Sequence, residues 1–395
     1  GVGYFLNTTG GIITVNLPAG AAGSSVALAD YAATWQTNNV TLAANGTEKI
    51  GGVDGDVTLS TEGQAVTFVY IDGTQGWVNV LDSTSNVRGA PPFIVATGGT
   101  PSQCGDYEIR TFTGPGTFCV SGVSGCAAKN AVDYLVVAGG GGGGANDGGG
   151  GGGAGGYRES PGTATGCYTV SPRGVAPAAA ITVTESPYTI TVGAAGASRG
   201  AYCTGSGGNG GDATFSTITS TGGGGGAQFN TPVPGGGGPK TGGSGGGGGG
   251  RAGCVGSCGG AASPVTSPYQ GSAGGPATPG TSPGSIDAGG GGGGALCAGA
   301  AGAPNGPGGV GGAGGISSIN GTPTARSGGG GGGSESGPGG AGGNGGGGAG
   351  SGPGPGAATA ATINTGGGGG GKGTGCCSTS GLGGSGVVIL RYKFQ

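Results

Sequence analysis

The side chains that could carry out chemistry are few, and most of them are carboxylates and cysteine thiols. The sequence contains no histidine, which excludes the most common general base and metal ligand and every triad that needs one. Two carboxylates suffice for glycoside hydrolysis, and the N-terminal part offers Asp30, Glu48, Asp54, Asp56 and Glu62. Nothing in the sequence fixes the separation of any pair, so we interpret them as solvated turn residues and predict that the protein is not an enzyme.

The segment GGGGGGK (366–372) imitates a phosphate-binding loop. Gly373 stands where Ser or Thr should hold magnesium, and neither a preceding apolar strand nor a following helix is indicated. We interpret the match as accidental and expect no cofactor.

Ten cysteines are spread over the chain from residue 104 onward: Cys104, Cys119, Cys126, Cys167, Cys203, Cys254, Cys258, Cys297, Cys376 and Cys377. An even count in a chain with little apolar core favours disulfides and an oxidising setting. Spacing does not determine the pairing, although Cys297 with Cys376 or Cys377 is one hypothesis. A zinc site would have to be all cysteine, and Cys254-x-x-x-Cys258 departs from the usual C-x-x-C spacing, so no metal is expected.

The overall composition is far from that of an ordinary globular domain. Of 395 residues 119 are glycine, about 7% are charged, and the formal net charge is −3. This balance leaves no basic face for nucleic acid, and no apolar run approaches the roughly 20 residues that would span a bilayer. We therefore expect neither nucleic-acid binding nor membrane insertion. Because the chain starts at Gly1, we also expect a processed product or the distal piece of a longer polypeptide.

The glycines divide the chain, with 21 in residues 1–132 and 98 in residues 133–395. Residues 1–90 show short alternating apolar segments separated by Asn-Gly and Asp-Gly turn signals, which predicts a small all-β module. Residues 91–138 read as a β-rich connecting segment. Residues 139–395 form a glycine-rich domain that is closed by a predicted strand at 386–394. Almost no α-helix is expected.

The glycine runs share one length of six residues: 139–144, 148–153, 245–250, 289–294, 328–333 and 366–371. Elsewhere glycine follows a three-residue repeat, which is the period of the polyproline-II type of helix. Such helices have no internal hydrogen bonds, so we predict polyglycine-II helices that bond to one another, in a slab about 19 Å thick. Disorder is the alternative, because residues 219–382 hold only twelve large apolar side chains.

If each glycine run is one pass through the slab, the connections alternate between its two ends. The long connections 263–288, 316–327 and 351–365 then share one end, and 227–234 would join them. Their mixture of apolar, amide and proline residues is typical of adaptable binding loops. The candidate receptor-binding residues are Phe229, Asn230, Tyr269, Ile286, Ile319, Asn320, Arg326, Ile363 and Asn364.

Six segments together resemble the tail-fibre proteins of bacteriophages, especially those that infect cyanobacteria. VDYLVVAGGGGGG (132–144), YTITVGAAG (188–196), DATFSTITSTGGGGG (212–226) and GGSGVVILRY (383–392) are similar to the glycine-rich distal domain of these fibres. YFLNTTGGIITVNLP (4–18) and VTFVYIDGTQGWVNV (66–80) are similar to their β modules. The resemblance implies an extracellular virion protein that joins other tail-fibre subunits, trimerises through its N-terminal modules and binds a bacterial outer-membrane protein or surface glycan.

We therefore expect a non-enzymatic adhesin whose rigid slab presents loops to a host receptor. A purely structural fibre or surface-filament protein is the main alternative, and an ice-binding protein is another. A depolymerase would require carboxylates that converge in space.

Overall fold

A computed structural model describes residues 1–83, 91–166, 168–200, 205–228, 238–250, 258–278, 287–375 and 379–395. These residues form twenty β-strands and one short 3₁₀ helix, Ala127–Lys129, with no α-helix among them. The predicted all-β fold class with a glycine-rich C-terminal domain is confirmed. Within the same residues, no helix has the length and apolar character needed to cross a bilayer. The chain forms two compact units, Gly1–Gly89 and Ala90–Gln395.

The first unit contains two sheets around one apolar core. The strands are β1 Val2–Leu6, β2 Ile13–Asn16, β3 Ser25–Asp30, β4 Val40–Ala43, β5 Val57–Leu59, β6 Ala65–Tyr70 and β7 Trp77–Ser83. One sheet has the order β1-β3-β6-β7 and the other has the order β2-β4-β5. Because side chains alternate along a strand, Val66 and Phe68 of β6 point inward, where they join the fully buried Trp35 and Trp77.

The second unit contains two larger sheets and a separate hairpin. Its strands are β8 Val95–Thr97, β9 Thr100–Cys104, β10 Tyr107–Phe112, β11 Gly116–Gly122, β12 Ala131–Val137, β13 Tyr157–Glu159, β14 Ile181–Thr182, β15 Pro187–Thr191, β16 Ala213–Phe215, β17 Ile218–Ser220, β18 Gly315–Ser317, β19 Thr324–Arg326 and β20 Val387–Lys393. The orders are β13-β12-β20-β10-β9, with β14 also paired to β12, and β17-β16-β15-β11-β8. The hairpin is β18-β19.

The two segments that bracket the glycine-rich region pair with each other. β12 and β20 are antiparallel neighbours with Tyr134 opposite Leu390. One face of this pair packs against the second sheet, where Phe118 contacts the rings of Tyr188, Phe215 and Tyr392. The two sheets therefore form a sandwich with an aromatic centre.

The glycine tracts are hydrogen-bonded to one another as the three-residue period predicts. Successive amides of tract 139–144 donate in turn to tracts 208–211, 381–384 and 150–153, over N···O distances of 2.8 to 3.0 Å. Residues three positions apart bond to the same neighbour, so three neighbours accept from one tract. This is the polyglycine-II arrangement, in which main-chain partners replace an apolar core.

Tract 149–156 lies at the centre of the bundle and has six neighbouring tracts. It donates to 221–227, 289–294 and 366–372, and it accepts from 139–144, 244–250 and 327–333. A Cβ atom added to Gly152 would overlap the carbonyl oxygen of Gly141. Interior positions are therefore glycine because another backbone occupies the space that a side chain needs.

The bundle contains more passes than the six-glycine runs indicated. Segments 270–276, 297–302 and 358–362 are further tracts at its perimeter, where one side of the helix faces outward and tolerates Ala, Ser or Thr. Thr359 and Thr362, three residues apart, both donate from their amides to tract 346–351. The predicted long connections 263–288 and 351–365 each contain one such pass, and so does segment 295–305, so the predicted alternation of loop ends was wrong.

Candidate functional site

The two ends of the bundle differ in what they carry. β12 runs directly into tract 139–144, and the last tract runs through Gly386 into β20. We call this side the strand end and the opposite side the free end. The order of the hydrogen-bond partners shows whether two neighbouring tracts are parallel or antiparallel, and this assigns each connection to an end. Gly139 and Gly142, for example, donate to Gly211 and Gly208, so these two tracts are antiparallel.

In the part of the chain that the structure describes, the complete connections at the free end are short turns. Its described connections are 145–148, 303–306, 334–337, 352–357 and 373–375. Their exposed side chains are small or are prolines, such as Pro304, Ser336, Pro353 and Pro355. These turns offer little apolar surface to a partner.

The strand end carries the parts of the singled-out connections that contain Tyr269, Asn320, Ile363 and Asn364. Tyr269 lies in 264–269 and Ile363 in 363–365, and both side chains are more than half exposed. Asn364 and Asn320 are half-buried. Two further apolar side chains, Val265 and Ile316, are exposed in the same set of connections. Phe229, Asn230 and Ile286 lie outside the described residues.

Ile319 and Arg326, by contrast, are buried and cannot touch a partner in this structure. The hairpin β18-β19 folds back onto the second face of β12 and β20, where Ile319 packs with Ile109, Leu135 and Ile389. Arg326 is 6% exposed. Their inclusion among receptor-contacting residues is corrected, because a loop that covers a sheet face turns its apolar side inward.

A polar cluster lies on the same buried face. Asp133 of β12 accepts hydrogen bonds from the Ser160 hydroxyl at 2.7 Å, the Thr165 hydroxyl at 2.7 Å and the Thr165 amide at 2.9 Å. Glu159 accepts from the Tyr157 hydroxyl at 3.0 Å and the Ser171 amide at 2.9 Å. These bonds tie the segment after β13 to the central strands, so the cluster is structural.

Burial raises the pKa of Glu159 above its ordinary value, and hydrogen bonds from Ser317 and Ser171 oppose the shift. A carboxyl group whose pKa is raised by folding contributes stability below its unfolded pKa of about 4.3, and that contribution is lost as pH rises through the folded pKa. We expect Glu159→Gln to flatten the decline of stability with rising pH in this range. Chemical denaturation of the full chain from pH 4 to 8 would measure it.

The matched control for this prediction is Glu185→Gln, which removes an exposed carboxylate of the same unit. It should leave the pH profile as it is in the parent chain. A Glu159→Gln profile as steep as that of the parent would contradict the assignment.

The N-terminal carboxylates were interpreted as solvated turn residues, which is wrong for the buried Asp30. Two of them, Asp30 and Glu48, accept hydrogen bonds from the main chain. Asp30 is buried and accepts from the amides of Thr34, Trp35 and Gly63. Glu48 accepts from the amide of Gly20 at 2.8 Å and from the Trp77 indole at 3.2 Å. Both therefore stabilise turns of the first unit.

Five of the ten cysteines fall within the described residues, and all five have free thiols: Cys104, Cys119, Cys126, Cys258 and Cys297. The others, Cys167, Cys203, Cys254, Cys376 and Cys377, lie outside these residues, as does one side of the pairing suggested for Cys297. In the described part of the chain, no cluster of acidic or cysteine side chains could hold a metal ion.

The sequence interpretation missed Asp133 and Arg391. Each is a charged residue inside an otherwise apolar bracketing strand, and they face each other in the β12–β20 register. A charge at such a position is rare unless it has partners, and this signal was present in the sequence.

The comparison with family models gave one finding. A model described as a glycine-rich domain matches residues 111–393, from within β10 to the last residue of β20. A comparison with curated proteins found no match.

Proposed function

The chain belongs to the glycine-rich domain family, and we propose that it uses its bundle as a rigid mount for host recognition. In this proposal it is a bacteriophage tail-fibre adhesin that binds an outer-membrane protein or a glycan on a bacterial surface. The N-terminal unit joins other fibre subunits and forms a homotrimer. The resemblance of the bracketing segments to tail fibres supports this assignment.

The observation that carries the proposal is the set of exposed apolar side chains at the strand end. Val265, Tyr269, Ile316 and Ile363 are between 43% and 76% exposed, although apolar residues are scarce elsewhere in the bundle. Tyrosine is a frequent anchor of protein interfaces, and the exposed apolar side chains around Tyr269 would add apolar contact area.

Rigidity explains why a backbone-bonded bundle suits this task. Connections fixed at both ends by hydrogen-bonded tracts lose little freedom when a partner binds, so less binding energy is spent on ordering them. The connection that contains Asn364 is fixed in this way, since the main-chain N–H of Asn364 donates to the Ser385 hydroxyl at 2.9 Å.

Binding of the labelled chain to a panel of bacterial cells tests the proposal. The double variant Tyr269→Ala/Ile363→Ala should weaken cell binding at least about tenfold, because two truncated anchors typically cost that much. Both side chains are exposed, so folding should be unaffected. Ser336→Ala/Pro353→Ala at the free end is the matched control and should bind like the parent.

The outcomes separate the alternatives. Loss of binding in the control alone would move the contact surface to the free end. A parent chain that binds no bacterium, and whose variants behave alike, would contradict the adhesin proposal and favour the structural fibre or filament.

A further inference from the structure

The sheet β1-β3-β6-β7 of the first unit has an apolar side that faces away from the core. Side chains alternate along a strand, so the sequence neighbours of the buried Leu28 and Val66 point to this side, which we call the outer face. In the strand register, two rows of residues cross the four strands there: Gly3, Ala27, Thr67 and Leu81 in one, and Phe5, Ala29, Ala65 and Ser83 in the other.

The middle of the outer face is a hollow of about 380 Å³. The outward side chains of β3 and β6 at this place are small: Ala27, Ala29, Ala65 and Thr67. Phe5 on β1 and Leu81 on β7 stand at opposite corners of the hollow and are 78% and 68% exposed. The same face therefore offers a projecting aromatic side chain and a depression lined by small side chains.

The outer face carries little charge. Asp82, on the edge strand β7, is the one charged residue in the lining of the hollow within the described chain. The side-chain amides of Gln64 and Asn79 donate to its two oxygens at 2.9 and 3.4 Å. Two copies of a strongly charged face would repel each other, whereas this face can approach a second copy of itself at little electrostatic cost.

We propose that the outer face is the contact between copies of this chain, with Phe5 of one copy seated in the hollow of the next. Aromatic side chains are enriched at the buried centres of such contacts. Because the projecting ring and the hollow are different parts of one face, the contact is head-to-tail and forms a closed ring when the rotation between copies closes. That the ring contains three copies rests on the proposed tail-fibre function.

The exposed area is in the range that such an assembly needs. A fully exposed aromatic side chain offers about 150 to 250 Å², and Phe5, Tyr4 and Leu81 are each about half exposed or more. With the small residues of the floor, the outer face presents on the order of 500 Å², which is a patch typical of interaction sites. A ring of three copies would bury on the order of 1,500 Å² in all, the size of a specific interface.

Sedimentation of the full chain over a range of concentrations tests the inference. We expect the parent chain to form a complex of three copies. Phe5→Ser should raise the concentration at which half of the chain is assembled at least about tenfold, because the ring no longer leaves water on assembly. Ile12→Ser is the matched control, since Ile12 is 72% exposed in the same unit and does not line the hollow. It should assemble like the parent.

A second variant tests the hollow itself. Ala65→Glu places a charged side chain in the floor, two strands away from Phe5, and should also prevent assembly. A mixture of Ala65→Glu and Phe5→Ser chains should form heterodimers, because Phe5 of the first can enter the intact hollow of the second. Tryptophan fluorescence of Trp35 and Trp77, both in the first unit, should be unchanged in each variant and so verifies its fold. A mixture that stays monomeric would overturn the seating of Phe5 in the hollow.

The outcomes separate this inference from the proposed function. A parent trimer that Phe5→Ser leaves intact would overturn the contact but not the homotrimer, which would then assemble elsewhere. A parent that stays monomeric at every concentration would overturn both. Cell binding through Tyr269 and Ile363 is a separate measurement on the second unit, so its result does not depend on this contact.

Discussion

Replacement of Gly152 by alanine is expected to lower the unfolding free energy of the second unit by at least about 3 kcal/mol, the upper range for overpacked interiors. The new methyl group would meet the carbonyl oxygen of Gly141. The overlap could be relieved only by a movement of tract 139–144, which is bonded to the central tract through Gly141 and Gly144. Alanine's lower conformational entropy in the unfolded chain recovers only about 0.4 to 1 kcal/mol.

Gly356→Ala is the matched control, because a Cβ atom at this free-end glycine meets nothing within 4 Å. Amide exchange of the glycine tracts should accelerate in Gly152→Ala and stay slow in the control. Tryptophan fluorescence provides an internal reference, since both tryptophans, Trp35 and Trp77, belong to the first unit. Equal stability of the two variants would mean that the tracts are not in backbone contact.

Truncation of Phe118 to alanine should destabilise the second unit by about 3 to 5 kcal/mol, the usual cost of Phe→Ala in a core. Phe118 is fully buried and has three aromatic neighbours with centroids 5.6 to 6.4 Å away. The amides of the glycine bundle should also lose protection from hydrogen exchange when the sandwich is destabilised, because β12 and β20 continue directly into glycine tracts. Calorimetry would measure the unfolding of the second unit, and tryptophan fluorescence would identify the transition of the first unit. Amide exchange would measure the protection of the bundle.

Tyr269→Ala removes an aromatic ring of similar size from an exposed position and serves as the control for this core variant. It should shift the unfolding transition by no more than about 0.5 kcal/mol. If Phe118→Ala destabilised the second unit no more than Tyr269→Ala does, the sandwich would not be supporting the bundle.

The features of the fold that the sequence predicted are those with a strict repeat. The main-chain N–H and C=O groups of a six-glycine run can find partners on neighbouring runs that lie side by side. The tracts and their mutual hydrogen bonds therefore followed from residue types alone. The pairing of 132–138 with 386–394 followed from two apolar segments at the borders of a region without core residues. Alternating apolar residues located β2 to β7 in the same way.

The perimeter tracts and the buried hairpin could not be predicted in this manner. At the bundle surface only the positions that face another backbone must be glycine, so 358–362, with no glycine at all, still forms a tract. Ile319 and Arg326 lie in a connection whose composition resembles an exposed loop. Their burial depends on the sheet face that the hairpin covers, which is a contact distant in sequence.

Because all the glycine tracts make the same backbone contacts, something else must determine which tracts become neighbours when the chain folds. Polyglycine segments are chemically alike, so the interior hydrogen bonds carry no information about which segment belongs beside which. Selectivity must come from side chains at tract borders. Asn209 Oδ1 accepts from the Gly225 amide at 3.0 Å, Asp212 Oδ1 from Gly222 at 2.7 Å and Gln270 Oε1 from Thr221 at 2.9 Å. These few polar side chains therefore specify which of the otherwise equivalent glycine tracts lie next to each other.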